Sequence, residues 1–472
     1  MTCLDRRYVP LLLFALVLVA PFLLRVAAGG PGGTAPRGSA PRLVIISPHN
    51  EPTRREFQTA FSAWHEQAFG QPVLLDFRSY GGASEIVKFF EASRRRYETE
   101  GTYKIDLVWG GGSYLVDQQL KKPGYLQDVR LPEALMRTAF PRPDLGGVPL
   151  YDRSEPPTWF GTALSSFGIV FNKDVLRHLG LPEPKTWRDL TDPRYRNWIA
   201  LADPTRSSSA KQAFLVIVER AMADASERGQ SEDAGWADGM GLVRLIVANA
   251  RVITDNAALV PALVSSGEAA AGTAIDFYAR SQIDAVGDER VGYVEPVNAT
   301  IVNPDPIALV KGAEHRELAI RFIEFVLSEP GQRLWNTRAG APGGPRQTAL
   351  RRLPILPSLY DDRTNMTDTA QPFTVAAQFN SSAIRERTFG VIGELIQACC
   401  LDLLEELRQT RDALAPRGSL DASLGAFPFD QREALARGER WRKAPPLERL
   451  RLQRVWSDEF RAEYRRLRES AK

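Results

Sequence analysis

The sequence predicts an α/β protein of at least two lobes followed by a helical extension. Short apolar runs of strand type alternate with amphipathic stretches of helical spacing from residue 42 to about residue 350. Glycine- and serine-bearing turns follow several of these strands, and beyond residue 350 the pattern changes to Arg- and Glu-rich helical sequence. The chain has 472 residues and 44% hydrophobic content, more than the ~250–300 residues at which one core stops growing.

In chain order, Arg6 and Arg7 precede an uncharged apolar run from Tyr8 to Leu24 that ends at Arg25. This is a membrane-targeting segment, short for a spanning helix and broken by Pro10 and Pro21, with small residues at Val26, Ala27 and Ala28 for a signal peptidase. Residues 1–28 therefore read as a signal peptide or an uncleaved N-terminal anchor, and either places the bulk of the chain outside the cytoplasm. Residues 29–41 are Gly, Pro, Ala and Ser with two arginines, a linker composition. "RLVIIS" (42–47) is a strand, Phe57, Ala60, Phe61, Trp64 and Ala68 recur at helical spacing, and "PVLLDFRS" (72–79) is a second strand: a βαβ unit with a parallel sheet. "EIVKFFEASRRR" predicts a helix and "IDLVWGGG" a third strand breaking into glycine. Alternation continues through "FGIVFNK" (167–173), "WIALADP" (198–204), a helix from near Ser208, "GTAIDFY" (272–278) and "PDPIALVKG" (304–312). From Glu314 to Trp335 an amphipathic helix sets Leu318, Phe322 and Phe325 on one face, with a break marked by Pro330 and Gly331. Residues 351–472 form the helical extension, its apolar residues concentrated between Ile384 and Leu414, and no internal repeat is present.

The 60 basic and 57 acidic residues leave a formal charge of +3, which gives no reason to bind nucleic acid. The cysteines, Cys3, Cys399 and Cys400, supply no disulfide framework for the exported part. Cys399 and Cys400 within "LIQACCLDLL" read as small buried hydrophobes.

Ligands in open α/β sheets bind where strand ends and helix N-termini converge. Three such loops are unusual here: Pro48-His49-Asn50-Glu51, Tyr80-Gly81-Gly82-Ala83-Ser84, and Thr205-Arg206-Ser207-Ser208-Ser209-Ala210. The second and third put glycine or hydroxyl residues at a helix start, a place suited to an anion, although ordinary N-capping accounts for one serine as well. The run Gly110, Gly111, Gly112 lacks phosphate-loop spacing and reads as a tight strand-to-helix turn that borders the same face. His65 and His178 lie in helices and His315 at a charged helix start, whereas His49 follows a strand directly and is the ligand-contacting candidate. No nucleophile elbow, zinc-protease helix or Walker sequence occurs.

The stretch "FGIVFNKDVLRHLGLPEPKTWRDLTDPRYRNWIALADPTRSSSA" (167–210) resembles the extracellular solute-binding proteins of ATP-driven importers, in the branch that includes ferric-ion, phosphonate, thiamine and polyamine binders. The shared marks are a strand ending in Asn172-Lys173, a Gly-Leu-Pro turn, Thr186-Trp187 with Asp189-Leu190, and a strand ending in Asp203-Pro204 before a serine-rich helix start. "VSSGEAAAGTAIDFYA" (264–279) and "AIRFIEFVLSEPGQRLW" (319–335) are similar to later parts of that family. The resemblance covers roughly residues 42–350. It implies a clamshell of the type II periplasmic-binding-protein fold, with one lobe of about 42–150 and 298–345 and another of about 151–297, trapping a solute by closure about hinge strands. It implies no catalysis and no cofactor, with an ABC permease and ATPase as partners.

In ferric-ion binders of this family two adjacent tyrosines bind the metal; here the pair is Phe277-Tyr278. By the resemblance, His49 matches the histidine-bearing first loop, Ser207–Ala210 the loop holding a partner anion, and Asn256 a cleft asparagine. Two ligand readings stay open. Fe(III) would draw on His49 and Tyr278, with Asp276 as a further donor. A small anionic phosphorus-containing or carboxylate solute would use the serine loop with Arg206 and Arg78. Read without the family, Tyr278 stacks on an organic ligand and Asp276 caps a helix or recognises an amine. Two competing functions are a membrane-anchored sensor that signals through the helical extension and a phosphoester hydrolase using His49 and Asp276.

Overall fold

A computed structural model describes residues 40–368, 370–375, 383–415, 424 and 427–471. The apolar run and most of the linker read from the sequence lie outside these residues. Among the described residues, no helix is long and apolar enough to cross a membrane.

The elements used below are, in chain order, β1 (Arg42–Ile46), α1 (Glu51–Phe69), β2 (Leu74–Arg78), α2 (Ala83–Ala92), β3 (Leu107–Trp109), β4 (Leu126–Gln127), β5 (Trp159–Ser165) and β6 (Phe167–Asn172). Next come β7 (Ile199–Ala202), α3 (Ser208–Glu227), α4 (Glu232–Ala248), β8 (Ala250–Thr254), β9 (Ala271–Ile275), α5 (Asp276–Val286) and β10 (Val291–Val294). β11 (Asn303–Val310), α6 (Arg316–Leu327), α7 (Glu329–Asn336) and β12 (Leu353–Pro354) complete the part with strands. The extension contains α8 (Ala383–Ile396), α9 (Leu404–Leu414), α10 (Gln431–Lys443) and α11 (Pro446–Ser470).

Two sheets form the lobes. The first has seven strands in the order β12-β5-β11-β3-β1-β2, with β4 pairing on β11; the second has five in the order β8-β7-β9-β6-β10. β1 runs parallel to both β2 and β3, as the βαβ pattern requires. Strands buried on both faces read as continuous apolar runs, and all seven residues of β5 and all six of β6 are buried.

The chain crosses between lobes where β5 gives way to β6, at Ser165-Ser166, and returns between β10 and β11. Thr300 binds the crossings together: its Oγ1 accepts from the Phe167 N–H at 3.0 Å and donates to the Phe167 carbonyl at 2.7 Å. The outgoing crossing thus falls at 165–166 rather than near 150, because β5 pairs with β11 in the first sheet. β12 also pairs with β5, so residues just past 350 complete the first lobe instead of opening the extension.

The extension is fused to the second lobe. One core joins Trp236, Leu245 and Ile246 of α4 to Ile392 and Leu395 of α8, to Cys399 and Cys400, and to Phe460 and Tyr464 of α11. Three polar contacts inside it cross the same seam. Trp236 Nε1 donates to the Phe429 carbonyl at 3.2 Å, Arg244 reaches Glu463 at 3.0 Å, and the Tyr464 hydroxyl donates to the Cys399 carbonyl at 2.5 Å. The two cysteines are fully buried, with sulfurs 3.3 Å apart and unbonded, in a π-type turn at Gln397–Leu401.

Deleting side-chain volume from the extension should therefore destabilise the second lobe. Leu395→Ala is expected to cost about 2–5 kcal/mol, measured by urea denaturation. Tryptophan fluorescence and far-UV circular dichroism should report one coincident transition.

Candidate functional site

The loops after β1, β2 and β3 in one lobe and the starts of α3 and α5 in the other form the candidate site. Gly82 is the N-cap of α2, and a methyl group placed on it would sit 3.4 Å from the carbonyl oxygen of Arg206, in the loop before α3. The N-termini of α2 and α3, from different lobes, thus meet across the cleft. Each offers backbone N–H groups without intrahelical partners and the positive end of a helix dipole. Ser207 is the N-cap of α3; its Oγ accepts from the Ala210 N–H at 3.3 Å and lies 3.0 Å from the Ser209 Oγ. The first serine therefore caps the helix, and Ser208 and Ser209 follow, half-buried, in its first turn. Gly81 takes a positive φ of 109°, which a residue with a side chain rarely adopts, and so lets the loop turn into α2.

His49 ends the strand-to-helix loop after β1 and is 8% exposed, edge-on to Trp109 with ring centroids 4.6 Å apart. Its Nε2 lies 2.6 Å from Asp305 Oδ2 and 3.1 Å from Arg352 Nη1, while Arg352 Nη1 donates to the same carboxylate oxygen at 2.6 Å. Arg352 Nη2 donates to Ser165 Oγ at 3.2 Å, at the hinge crossing. Burial pushes the His49 imidazole below its ordinary pKa in spite of the opposing pull of Asp305. The neutral ring that directs its proton to Asp305 leaves Nδ1 as a buried acceptor, and Nδ1 has no partner. Asp305, for its part, is held well below the usual carboxylate range, since Arg352 and His49 outweigh its own desolvation.

Arg352 also reaches the opposite lobe. Its guanidinium carbon stands 4.5 Å from the centre of the Phe277 ring, and Phe277 packs on Tyr278 with centroids 4.3 Å apart. Burial raises the Tyr278 phenol above its ordinary pKa, with Arg352 opposing and Asp305 reinforcing the shift. Arg352, absent from the expectations, thus bonds to His49 directly and reaches Tyr278 only through the Phe277 ring between them.

The remaining predicted residues divide. Gly111 has φ of 91°, and a side chain there would run to 2.5 Å from Leu115 Cδ2, so its role is the tight turn after β3. Tyr80, 46% exposed, stacks on Phe89 of its own lobe at 4.9 Å, and Ser84 is exposed in the first turn of α2; both stand at the rim. Asn256 is exposed, and its Oδ1 accepts from the Ala258 N–H at 3.0 Å, which closes its own turn. Asp276 is fully buried among hinge groups, apart from the two helix N-termini: its N–H donates to the Ser166 carbonyl at 3.0 Å, and Arg280 and Glu295 are its charged neighbours. Arg280 binds Glu295 at 2.6 Å and also pairs with Asp368.

Asp305 could have been found from sequence, because a carboxylate inside a buried apolar strand needs a cation. Arg352 lies past the expected end of the two-lobe domain and carried no such signal.

With this geometry in place, the class of protein follows: the fold is the two-lobed type II periplasmic-binding-protein clamshell, carrying an added helical layer. Residues 145–355 match the family described as bacterial extracellular solute-binding protein, a transport family rather than an enzyme family. The resemblance read from residues 167–210 is borne out. The phosphoglycerate transport regulatory protein PgtC of Salmonella typhimurium is 28% identical over 39% of this chain and 42% of its own length. The iron uptake protein A1 of Synechocystis is 30% identical over 39% of this chain and 49% of its length. The chain thus spans less than half the length of these curated relatives. Among solved structures, the periplasmic binding protein AfuA of Actinobacillus pleuropneumoniae, with exogenous fructose-6-phosphate bound, superposes with a TM-score of 0.56 at 19% identity. That match covers 74% of this chain and 94% of AfuA. Apo ferric ion-binding protein A of Pasteurella haemolytica gives a TM-score of 0.54 at 15% identity, over 76% and 97% of the two chains.

Two outcomes are expected. Arg352→Met strands the Asp305 charge and should cost about 3–5 kcal/mol, with most of it recovered in the double variant Arg352→Met/Asp305→Leu. Asp276, pushed up to about 6 by burial, binds a proton more tightly folded than unfolded. Its contribution is thus fully present below about pH 4 and is lost as pH rises through about 6. Asp276→Asn should flatten the stability profile over that interval and raise the melting temperature at pH 7, read by calorimetry across pH.

Proposed function

We propose that this protein is the extracytoplasmic solute-binding component of an ABC import system and that it captures a small phosphate-bearing anion between its lobes. The observation that carries the reading is the meeting of the α2 and α3 N-termini from opposite lobes, at Gly82 and Arg206. A phosphate held there contacts both lobes only when they are closed, so ligand shifts the open–closed population by that difference in contacts. Ser208 and Ser209 supply hydroxyls at the same helix start, and Arg206 adds an exposed guanidinium, held at 3.8 Å from Asp203 and 3.7 Å from Asp255. The relative concerned with phosphoglycerate transport and the structure holding fructose-6-phosphate support the same class of solute.

The iron uptake relative supports the ferric alternative as cargo. The phosphate reading is preferred because His49 Nε2 is already engaged, at 2.6 Å from Asp305 and 3.1 Å from Arg352 Nη1, and Phe277, packed on by the same guanidinium, offers no oxygen to a metal. The protein is non-catalytic in this reading, acts outside the cytoplasm, and delivers its solute to a permease and ATPase. A sensor is the second reading, favoured by two features. One relative is a transport regulatory protein, and the extension shares a core with one lobe while Phe389 packs on Tyr114 of the other, centroids 4.7 Å apart. In that form residues 8–24 stay in the membrane and the extension signals closure.

Thermal melts of the full exported chain with 3-phosphoglycerate, fructose-6-phosphate and ferric citrate test the proposal. A true ligand at 100 times its Kd stabilises by ~2.7 kcal/mol, and Ser208→Ala should weaken a phosphate-bearing one roughly tenfold or more, as loss of a hydrogen bond to a charged group does. Stabilisation by ferric citrate alone, with a tyrosinate absorption band lost in Tyr278→Phe, would assign the metal instead.

A further inference from the structure

A second space between the lobes lies beside the strand-end face, with a volume of about 640 Å³. None of residues 78–84 or 203–210, which bring the two helix N-termini together, lines it. Its walls come from three parts of the chain: Tyr151 and Trp159 from the first lobe, Gln212 and Leu215 from α3, and Arg385 and Phe389 from the extension.

The extension is fixed in place along α3. Arg385 binds Glu219 at 2.6 Å, the Lys211 ammonium lies 5.6 Å from the centre of the Phe389 ring, and Lys211 stands 3.7 Å from Glu394. Ascending numbers on α8 thus meet descending numbers on α3, so the two helices run antiparallel, and Gln212 and Leu215 sit on the stretch of α3 that α8 flanks. The chamber exists because α8 closes its side.

Its chemistry is specific. Tyr151, Trp159 and Phe389 put aromatic carbon on the lining, and a volume of this size suits a drug-sized organic molecule, far more than a lone phosphate or metal ion. Gln212 is 6% exposed, and its Nε2 has no hydrogen-bond partner. An unpaired buried amide donor costs about 1–3 kcal/mol, a cost that an acceptor atom on a bound molecule removes. The carboxylates of the lining are engaged: Asp152 is paired with Lys121 at 2.5 Å, and Asp117 accepts from Trp159 Nε1 at 3.3 Å. Arg385 contributes a buried guanidinium on the extension side.

We infer that this chamber is a binding site for a ring-bearing organic carboxylate, its ring against Trp159 and Phe389 and its oxygens accepting from the Gln212 amide and the Arg385 guanidinium. The site is distinct from the phosphate site proposed above and stands whether or not that site is correct. The extension thereby becomes part of a ligand-binding surface.

Isothermal titration of the full exported chain with 2-naphthoate as probe tests this. One saturable site per chain is expected, weakened at least tenfold by Gln212→Leu and by Phe389→Leu and unchanged by Ser208→Ala. Gln212→Leu removes an unpartnered buried donor, so its melting temperature should equal or exceed that of the wild type, which separates loss of binding from loss of fold. Absence of a saturable naphthoate site in the wild type, or undiminished binding in folded Gln212→Leu, overturns the inference. Loss of phosphate-ligand binding in Ser208→Ala bears only on the other site.

Discussion

A single buried carboxylate organises the region where the two lobes meet. Asp305 lies in β11, the strand that brings the chain back to the first lobe, and it is 9% exposed. A charge in that position requires partners, and it takes them from both ends of the first lobe's chain: His49 from the first loop and Arg352 from the segment that closes that lobe. Arg352 then extends over Phe277 in the second lobe and to Ser165 at the hinge crossing. Without Asp305, the guanidinium would lose the group that holds it between the lobes, and His49 the group that sets its proton.

The same logic separates two kinds of surface at the cleft. Where His49, Asp305, Arg352 and Phe277 meet, charges are buried and engaged with one another. Where the starts of α2 and α3 meet, the charges are more exposed: Arg206 stands 3.8 Å from Asp203 and 3.7 Å from Asp255 beside the free N–H groups of the α3 start. Lobe cohesion therefore resides in groups that neighbour these helix starts without belonging to them.

The sequence exposed the fold more fully than the site. The strands 42–46, 74–78, 167–172, 199–202 and 303–310 were legible because buried strands read as apolar runs bounded by turn residues. The break expected at Pro330 appears at Ser328, with Pro330 in the first turn of α7, where its missing N–H carries no penalty. The outgoing lobe boundary was misplaced because β5 and β6 are both wholly buried, and nothing in composition tells which sheet a buried strand joins. Ser207 and Gly82 could be anticipated from helix-start chemistry. Asp276 and Asn256 occupied the right loops, yet whether a side chain turns outward or into the hinge depends on tertiary neighbours such as Arg280 and Glu295. The extension's place was not legible at all: its amphipathic pattern announced a buried face but not the partner, α4, that buries it.

That shared core has a consequence for how the chain is made. The apolar face of α4, near residue 240, stays uncovered until Phe460 and Tyr464 have been synthesised, about half the protein later. Contacts so distant along the chain form slowly and leave sticky surface open meanwhile. The second lobe is in effect finished by α11, made long after α4, so a nascent chain interrupted before that helix carries an incomplete lobe rather than a complete one lacking an appendage.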